Sequence, residues 1–334
     1  MNGIGLEGTG HKLRLGSIVS YLVVALIVLT GSPVSRAQST GGTLLAYEPF
    51  GKSGKKPFAL NGASGGGDQG WASGWVEQSG STAVPGYNVA SETELNYTGL
   101  LTTADYATGG YVYQSAGRAL DVSPGGPFAS YLSNGLIGAP GRSIWFSFLL
   151  RQDASGATPN VGLTAQGRDT TWSTSPANIQ VGYFGSSSTD STGNAWWGLQ
   201  YSGSTVTTKV PVVKGQTVLF VVEDTFGSNG AGDQINLYVN PTSLGESAPA
   251  TPTLQYSPSG STAFQSITYY GGNGSNQSSL GDIRIGTSYS VVTPKPTPPS
   301  VSTVLAATLG IVVLVLIAVG VVIARRRAVK YSNY

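Results

Sequence analysis

The 334-residue chain has no cysteine, one histidine (His11) and only 10% charged residues. Without cysteine there is no disulfide and no thiolate, so stability has to come from packing. With the single histidine so close to the start, Ser-His-Asp and Cys-His nucleophile systems are excluded beyond it. Zinc and copper lose their usual nitrogen and sulfur ligands for the same reason. Charge of one sign is scarce as well. Between Gln38 and Thr303 there are 11 Lys plus Arg and 15 Asp plus Glu, a net of −4, so the overall +2 is produced by the two ends. No basic stripe is available to meet phosphates, and nucleic acid is not an expected partner. Long helices are disfavoured through most of the chain by its 48 glycines, which lose the most backbone freedom on folding. What is present, 40% hydrophobic residues in a chain of this length, is enough to bury a sizeable core of turn-rich β structure.

Long uncharged apolar runs occur only at the termini. At the start, Lys12 and Arg14 precede an apolar run from Ile18 to Leu29, followed by Gly31-Ser32-Pro33 and the small residues Ser35 and Ala37. This is the pattern of a secretory signal peptide over 1–37, with cleavage after Ser35-Arg36-Ala37. Twelve helical residues reach only ~18 Å, short of a ~30 Å hydrocarbon core, so a permanent anchor is not expected there. At the other end, Val304 to Ala324 runs without a charge and as a helix would extend ~31 Å, which matches a bilayer core. Arg325, Arg326, Arg327 and Lys330 follow at once. Positive charge flanking a span stays cytoplasmic, so these four residues orient the chain with its bulk outside. Thr293 to Ser300 holds four prolines in eight residues, an extended semi-rigid stalk of ~25 Å.

Between the ends, strand signals recur without a helical period. They begin with Thr43–Phe50 and continue through Gly109–Val122, read as two short strands around Ser115-Ala116-Gly117. In Arg142–Arg151 both alternate faces are bulky and apolar, which predicts a central strand covered on both sides. Further strands are expected in Asn160–Gln166, Asn178–Gly185, Asn194–Gly203, Ser204–Val213, Gln216–Phe226, Gln234–Pro241, Phe264–Gly272 and Gly281–Tyr289. More than ten strands in one unbroken body predict two stacked antiparallel sheets closed as a sandwich. The glycine-rich Asn61–Trp75 is expected to wrap that sandwich as an ordered loop pinned by Trp71 and Trp75.

The opening "LLAYEPF" followed by "GGGDQGWASGW", the mid-chain "INLYVNPTSLGE" and the closing "GDIRIGTSY" together resemble the concanavalin A-like lectin/glucanase (laminin-G-like) jelly-roll domains of bacterial exported, surface-anchored proteins. The resemblance spans Leu44 to Thr293. It implies a jelly roll whose last strand returns beside the first, with Ile283 and Ile285 packed inward next to "LLAYEPF". Such domains often carry acidic and aromatic residues after the opening phenylalanine, where this chain has Gly51 and Lys52.

Carboxylates are the remaining catalytic possibility, since glycoside hydrolysis needs two of them flanking the bond. The E-x-D-x-x-E pattern of lectin/glucanase-fold hydrolases does not occur. Glu92 and Glu94 share a strand face, whereas Glu223 and Asp224 fall on opposite faces. Asp224 and Asp233, in loops rich in glycine and asparagine, are the oxygen ligands that calcium would use; no other cofactor is expected. For binding, sugar C–H faces stack on aromatic rings, and Trp172, Tyr183, Trp196 and Trp197 lie near segments rich in small polar residues. Of the adjacent pair Trp196/Trp197 one member points into the core and the other outward. Sequons for N-linked sugar stand at Asn96, Asn273 and Asn276.

The sequence therefore predicts an exported, single-pass, type I membrane protein, with its ectodomain extracellular or periplasmic. Its parts are a signal peptide 1–37, an all-β jelly-roll ectodomain 38–292, a proline-rich stalk 293–303, a transmembrane helix 304–324 and a basic tail 325–334. The expected role is non-catalytic, glycan binding or adhesion at the cell surface, with the lipid bilayer and an envelope glycan as partners. The alternatives are an extracellular carbohydrate-active enzyme with an unusual carboxylate pair and a purely structural envelope subunit.

Overall fold

The computed structural model describes residues 41–296 apart from 52–56, 65–68, 79–85, 91–94, 104, 110–114, 166–178 and 272–276, together with 315–316 and 319–320. The signal-peptide region 1–37 and the basic tail 325–334 lie outside the described residues. So does the apolar run 304–324, apart from the exposed helical residues Val315, Leu316, Val319 and Gly320. Among the described residues no helix is long and apolar enough to cross a membrane.

The body is a two-sheet antiparallel sandwich. The first sheet runs in the order β16 (Leu254–Tyr256), β15 (Gln234–Val239), β14 (Thr217–Thr225), β9 (Ser143–Gln152), β18 (Ser278–Gly286), β5 (Tyr106–Gly109), β4 (Tyr87–Ala90) and β2 (Phe58–Ala59), with β1 (Leu44–Glu48) also paired to β18. The second runs β13 (Ser204–Pro211), β12 (Trp196–Tyr201), β11 (Ile179–Gly182), β10 (Asn160–Thr164), β17 (Ser266–Tyr270), β6 (Ser115–Ala119) and β3 (Val76–Gln78). A small hairpin joins β7 (Leu132–Ser133) to β8 (Leu136–Ile137). Its turn is Asn134-Gly135, both at positive φ (52° and 77°), as a two-residue hairpin turn matching strand twist requires.

Period-two alternation puts one set of side chains between the sheets. On β9, Ile144, Phe146, Phe148 and Leu150 enter the main core, where Phe148 stacks on Phe220 at 5.2 Å. Trp145 and Leu149 face the other way into a second buried cluster with Leu219, Val221, Tyr238, Leu244, Tyr289 and Val292. The central strand covered on both sides is thus borne out. Part of its outer cover is the segment after β18: a single helical turn, α1 (Tyr289–Val292), whose Val292 carbonyl accepts the Ser147 hydroxyl at 2.6 Å. The Tyr289 ring meets Trp145 edge-on at 5.5 Å.

The closing strand pairs beside the first, Ala46 opposite Ile285 and Glu48 opposite Ile283, and both isoleucines are fully buried in the core. Ser115-Ala116-Gly117, expected as a turn, is instead the start of β6. Ala116 is apolar and faces the core, whereas Ser115 and Gly117 face outward, the alternation of a strand. The short strands β2, β3, β4 and β16 were not expected, because at two to four residues they are too short to show a period.

Two buried ion pairs brace the sandwich. Glu48 accepts the Phe50 amide at 2.7 Å, the Trp75 indole N–H at 2.8 Å and Arg118 Nη1. Arg118 also donates to the carbonyls of Ser73 (2.8 Å) and Ser64 (2.7 Å), and its guanidinium lies 4.6 Å from the Trp71 ring centroid. The described part of the glycine-rich loop is held to the sandwich through Trp71 and Trp75, the two residues expected to pin it. The second pair is Asp282 with Arg284, 3.0 Å apart. Asp282 sits at φ 50° where the β9 register shifts. Its carboxylate accepts the Tyr47 hydroxyl at 2.9 Å and the Thr103 amide at 2.8 Å. Burial pushes its pKa up, and the Arg284 charge opposes that shift.

Candidate functional site

The adjacent tryptophans of β12 divide as alternation requires. Trp197 is fully buried and meets Phe220 edge-on at 5.3 Å, so it is a core residue. Trp196 is half-buried on the face turned away from the core. Its ring is held in place by the preceding loop. Asp190 Oδ1 accepts the amides of Thr192 and Asn194, each at 2.9 Å, and the Thr192 hydroxyl at 2.6 Å. Asp190 Oδ2 accepts the Asn194 side-chain amide at 3.2 Å and the Trp196 indole N–H at 3.1 Å. These donors, Thr192 foremost, hold the Asp190 carboxyl well below the usual carboxylate range. Lys209 Nζ lies 5.7 Å from the Trp196 ring centroid.

The register fixes what surrounds this ring. Because Val181 and Leu199 face the core, their neighbours Gln180 and Gln200 face outward, opposite each other on β11 and β12. Gly182 pairs with Gly198 in the next outward position. No side chain therefore stands between Trp196 and the two glutamines on these strands. A Cβ at Gly198 would come within 2.7 Å of the Val206 carbonyl, where β12 and β13 lose register, so glycine is required by close backbone approach. Gln200 donates to Thr205 Oγ1 at 2.9 Å. The result is a polar strip bounded by one restrained tryptophan.

Of the other sequence candidates, Tyr183 is half-buried against the core, with its hydroxyl 3.4 Å from Thr189 Oγ1, and braces the same loop. Trp172, Glu92 and Glu94 lie outside the described residues. Glu223 and Asp224 do point to opposite faces, paired with outward Trp145 and inward Ile144. Glu223 accepts the Asn236 amide at 2.9 Å. Asp224 is fully buried, and Thr262 Oγ1 lies 2.9 Å from its Oδ1 and 2.9 Å from Asp233 Oδ2. One hydroxyl proton serves one of these contacts, so the other requires a protonated carboxyl. Burial pushes Asp224 well above its ordinary value, while Asp233 accepts the Gly227 and Thr262 amides at 2.7 Å each. The raised Asp224 carboxyl is the one placed to supply that second proton. Among the described residues no three His, Cys, Asp or Glu side chains gather where they would hold a metal.

Sequence reasoning missed Asp190 and Lys209, which set the orientation and charge around Trp196. The one available signal was the spacing Asp190-x-Thr192-x-Asn194, which suits an aspartate that caps its own turn.

No family model matches the chain, and no curated protein matches it. Several solved structures show a distant similarity to it. The exoplasmic/lumenal domain of VIP36 shares 4% identity at a TM-score of 0.35, covering 64% of this chain and 86% of that one. The CBM2 module of the evolved Dit of Lactobacillus casei BL23 phage J-1 shares 9% at 0.35, covering 74% and 96%. A galectin from Caenorhabditis elegans shares 10% at 0.26, covering 45% and 88%. All three TM-scores lie below 0.5, and the likeness carries no argument about superfamily or function.

Proposed function

We propose that this chain is a non-catalytic, surface-displayed β-sandwich that binds glycan on the outer face of its second sheet, through the ring of Trp196. The observation that carries this reading is the restraint on that ring. An aromatic side chain on a sheet face, with its indole N–H satisfied by Asp190, keeps a stacking surface at little further cost in rotamer freedom. The glutamine amides of the adjacent strip supply donors and acceptors for sugar hydroxyls, and no cofactor is needed. The crossing of consecutive strands between the sheets at β5–β6, β9–β10 and β17–β18 supports a jelly-roll winding. Export by the segment 1–37, a stalk, a C-terminal membrane helix and a basic cytoplasmic tail complete the proposal, supported by the sequence patterns alone.

Glycan-array screening of the full-length protein, followed by titration calorimetry of the best ligand, tests the reading. Trp196→Ala is expected to lower affinity at least tenfold and to leave the unfolding midpoint nearly unchanged. Binding that survives this substitution, or no binding by the parent to any glycan, overturns it; the second outcome would favour a purely architectural role.

A further inference from the structure

Asn96-Tyr97-Thr98 is a sequon that the glycan-binding reading does not use. Asn96 and Thr98 are both exposed, in a turn outside every described strand that is closed by the Leu100 amide on the Tyr97 carbonyl at 3.0 Å. The turn is anchored from below. Tyr97 donates its hydroxyl to the Pro241 carbonyl at 3.1 Å and packs against the second buried cluster, into which Leu95 and Leu100 are sunk on either side. The asparagine amide and the hydroxyl two residues later are thus presented to solvent on a fixed support. Beside them is a pocket of about 580 Å³ lined by Asn96, Tyr97, Thr98, Thr217 and Thr242. Each of these side chains carries a hydroxyl or an amide, and three of them are threonines.

We propose that Asn96 is an N-glycosylation site whose first sugar lies in this pocket, against the threonine hydroxyls and the exposed edge of Tyr97. The step requires a lipid-diphosphate-linked oligosaccharide and a membrane transferase. The Asn96 amide nitrogen attacks the anomeric carbon, and an N–C bond forms as the C–O bond to phosphate breaks. The amide proton passes to a base of the transferase, and the lipid diphosphate leaves. The Thr98 hydroxyl positions and polarises the amide during transfer. Such a chain would stand on the first-sheet side of the sandwich and leave the Trp196 strip clear. The proposal rests on the export proposed above, since the donor and transferase work on the far side of the membrane. The sequons at Asn273 and Asn276 lie outside the described residues.

Peptide mass spectrometry of the full-length protein from its own host's membranes tests it. The expected result is a hexose- or N-acetylhexosamine-containing adduct on Asn96, lost in Asn96→Gln and Thr98→Ala and kept in Thr98→Ser. In the parent, an amidase that cleaves N-linked sugar should release the adduct at least tenfold faster after denaturation than from the folded protein, because the pocket shields the linkage. Exported, leader-processed protein with Asn96 unmodified overturns the proposal, as does an adduct that Thr98→Ala does not remove. Release at equal rates from folded and unfolded protein overturns the seating in the pocket. Chain recovered from the cytosol with its leader intact removes the export reading and this one together, and is distinguished by the uncleaved N-terminal peptide.

Discussion

Replacing Arg118 with methionine would isolate the energetics of the buried ion pair. Methionine keeps much of the side-chain volume but leaves Glu48, 0% exposed, without its counter-charge. The carbonyls of Ser64 and Ser73 lose their donors in the same step. Removing one partner of a buried pair typically costs about 3–5 kcal/mol, because the remaining charge stays desolvated. At about 2–4 °C per kcal/mol for a domain of this size, the melting point should fall by roughly 6–20 °C. Urea unfolding followed by tryptophan fluorescence is the natural assay, since Trp71 and Trp75 both touch the pair. Burial already pushes Glu48 upward, and removing the guanidinium would push it further. A carboxyl whose pKa is raised in the folded state binds more protons folded than unfolded, so the variant's deficit should shrink as pH falls from 7 toward the ordinary glutamate range and grow as pH rises. The double variant Glu48→Gln, Arg118→Met should recover part of the loss by removing the uncompensated charge. A loss below about 1 kcal/mol for Arg118→Met, or a deficit independent of pH, would refute the reasoning.

Trp197→Ala should destabilise by about 3–5 kcal/mol through cavity formation, whereas Trp196→Ala should move the chemical-denaturation midpoint little. Asp224→Asn should flatten the pH dependence of stability. In the parent, the raised Asp224 makes stability fall as pH rises above the ordinary aspartate value, and urea midpoints at pH 4.5 and pH 8 should differ less in the variant than in the parent, with the remaining slope left to the other raised carboxyls, Glu48 and Asp282. Asp190→Ala frees the Trp196 indole, and should raise its exposure to acrylamide quenching and weaken glycan affinity several-fold, with only a modest fall in melting point from the turn amides left without their acceptor.

Much of this fold was legible in the residues. The run from Arg142 to Arg151 showed two apolar faces, and the strand it forms, Ser143–Gln152, lies within a sheet covered on both sides. The division of Trp196 from Trp197 followed from alternation alone. What stayed hidden was of two kinds. Strands such as β2 and β3 are defined by their partners and carry no period of their own. Polar contacts between residues far apart in sequence, such as Glu48 with Arg118, 70 positions apart, leave no local trace, because either residue alone reads as a solvated strand end. The Trp196 strip falls between these cases: the ring was found, and the turn-capping spacing of Asp190 was legible, but its bond to the Trp196 indole shows only once the loop has closed.

The position of β18 bears on how the sandwich would carry tension. It lies between β9 on one side and both β5 and β1 on the other, and the chain runs from it directly into the segment that ends the described sandwich. A pull on that end would load β18 along its length, so that hydrogen bonds to three neighbours resist together instead of opening one by one. Before that, α1 would have to leave Ser147 and Trp145. A protein tugged by its C-terminus should therefore yield in two force steps, a small one for the helical turn and a larger one for the strand beneath it.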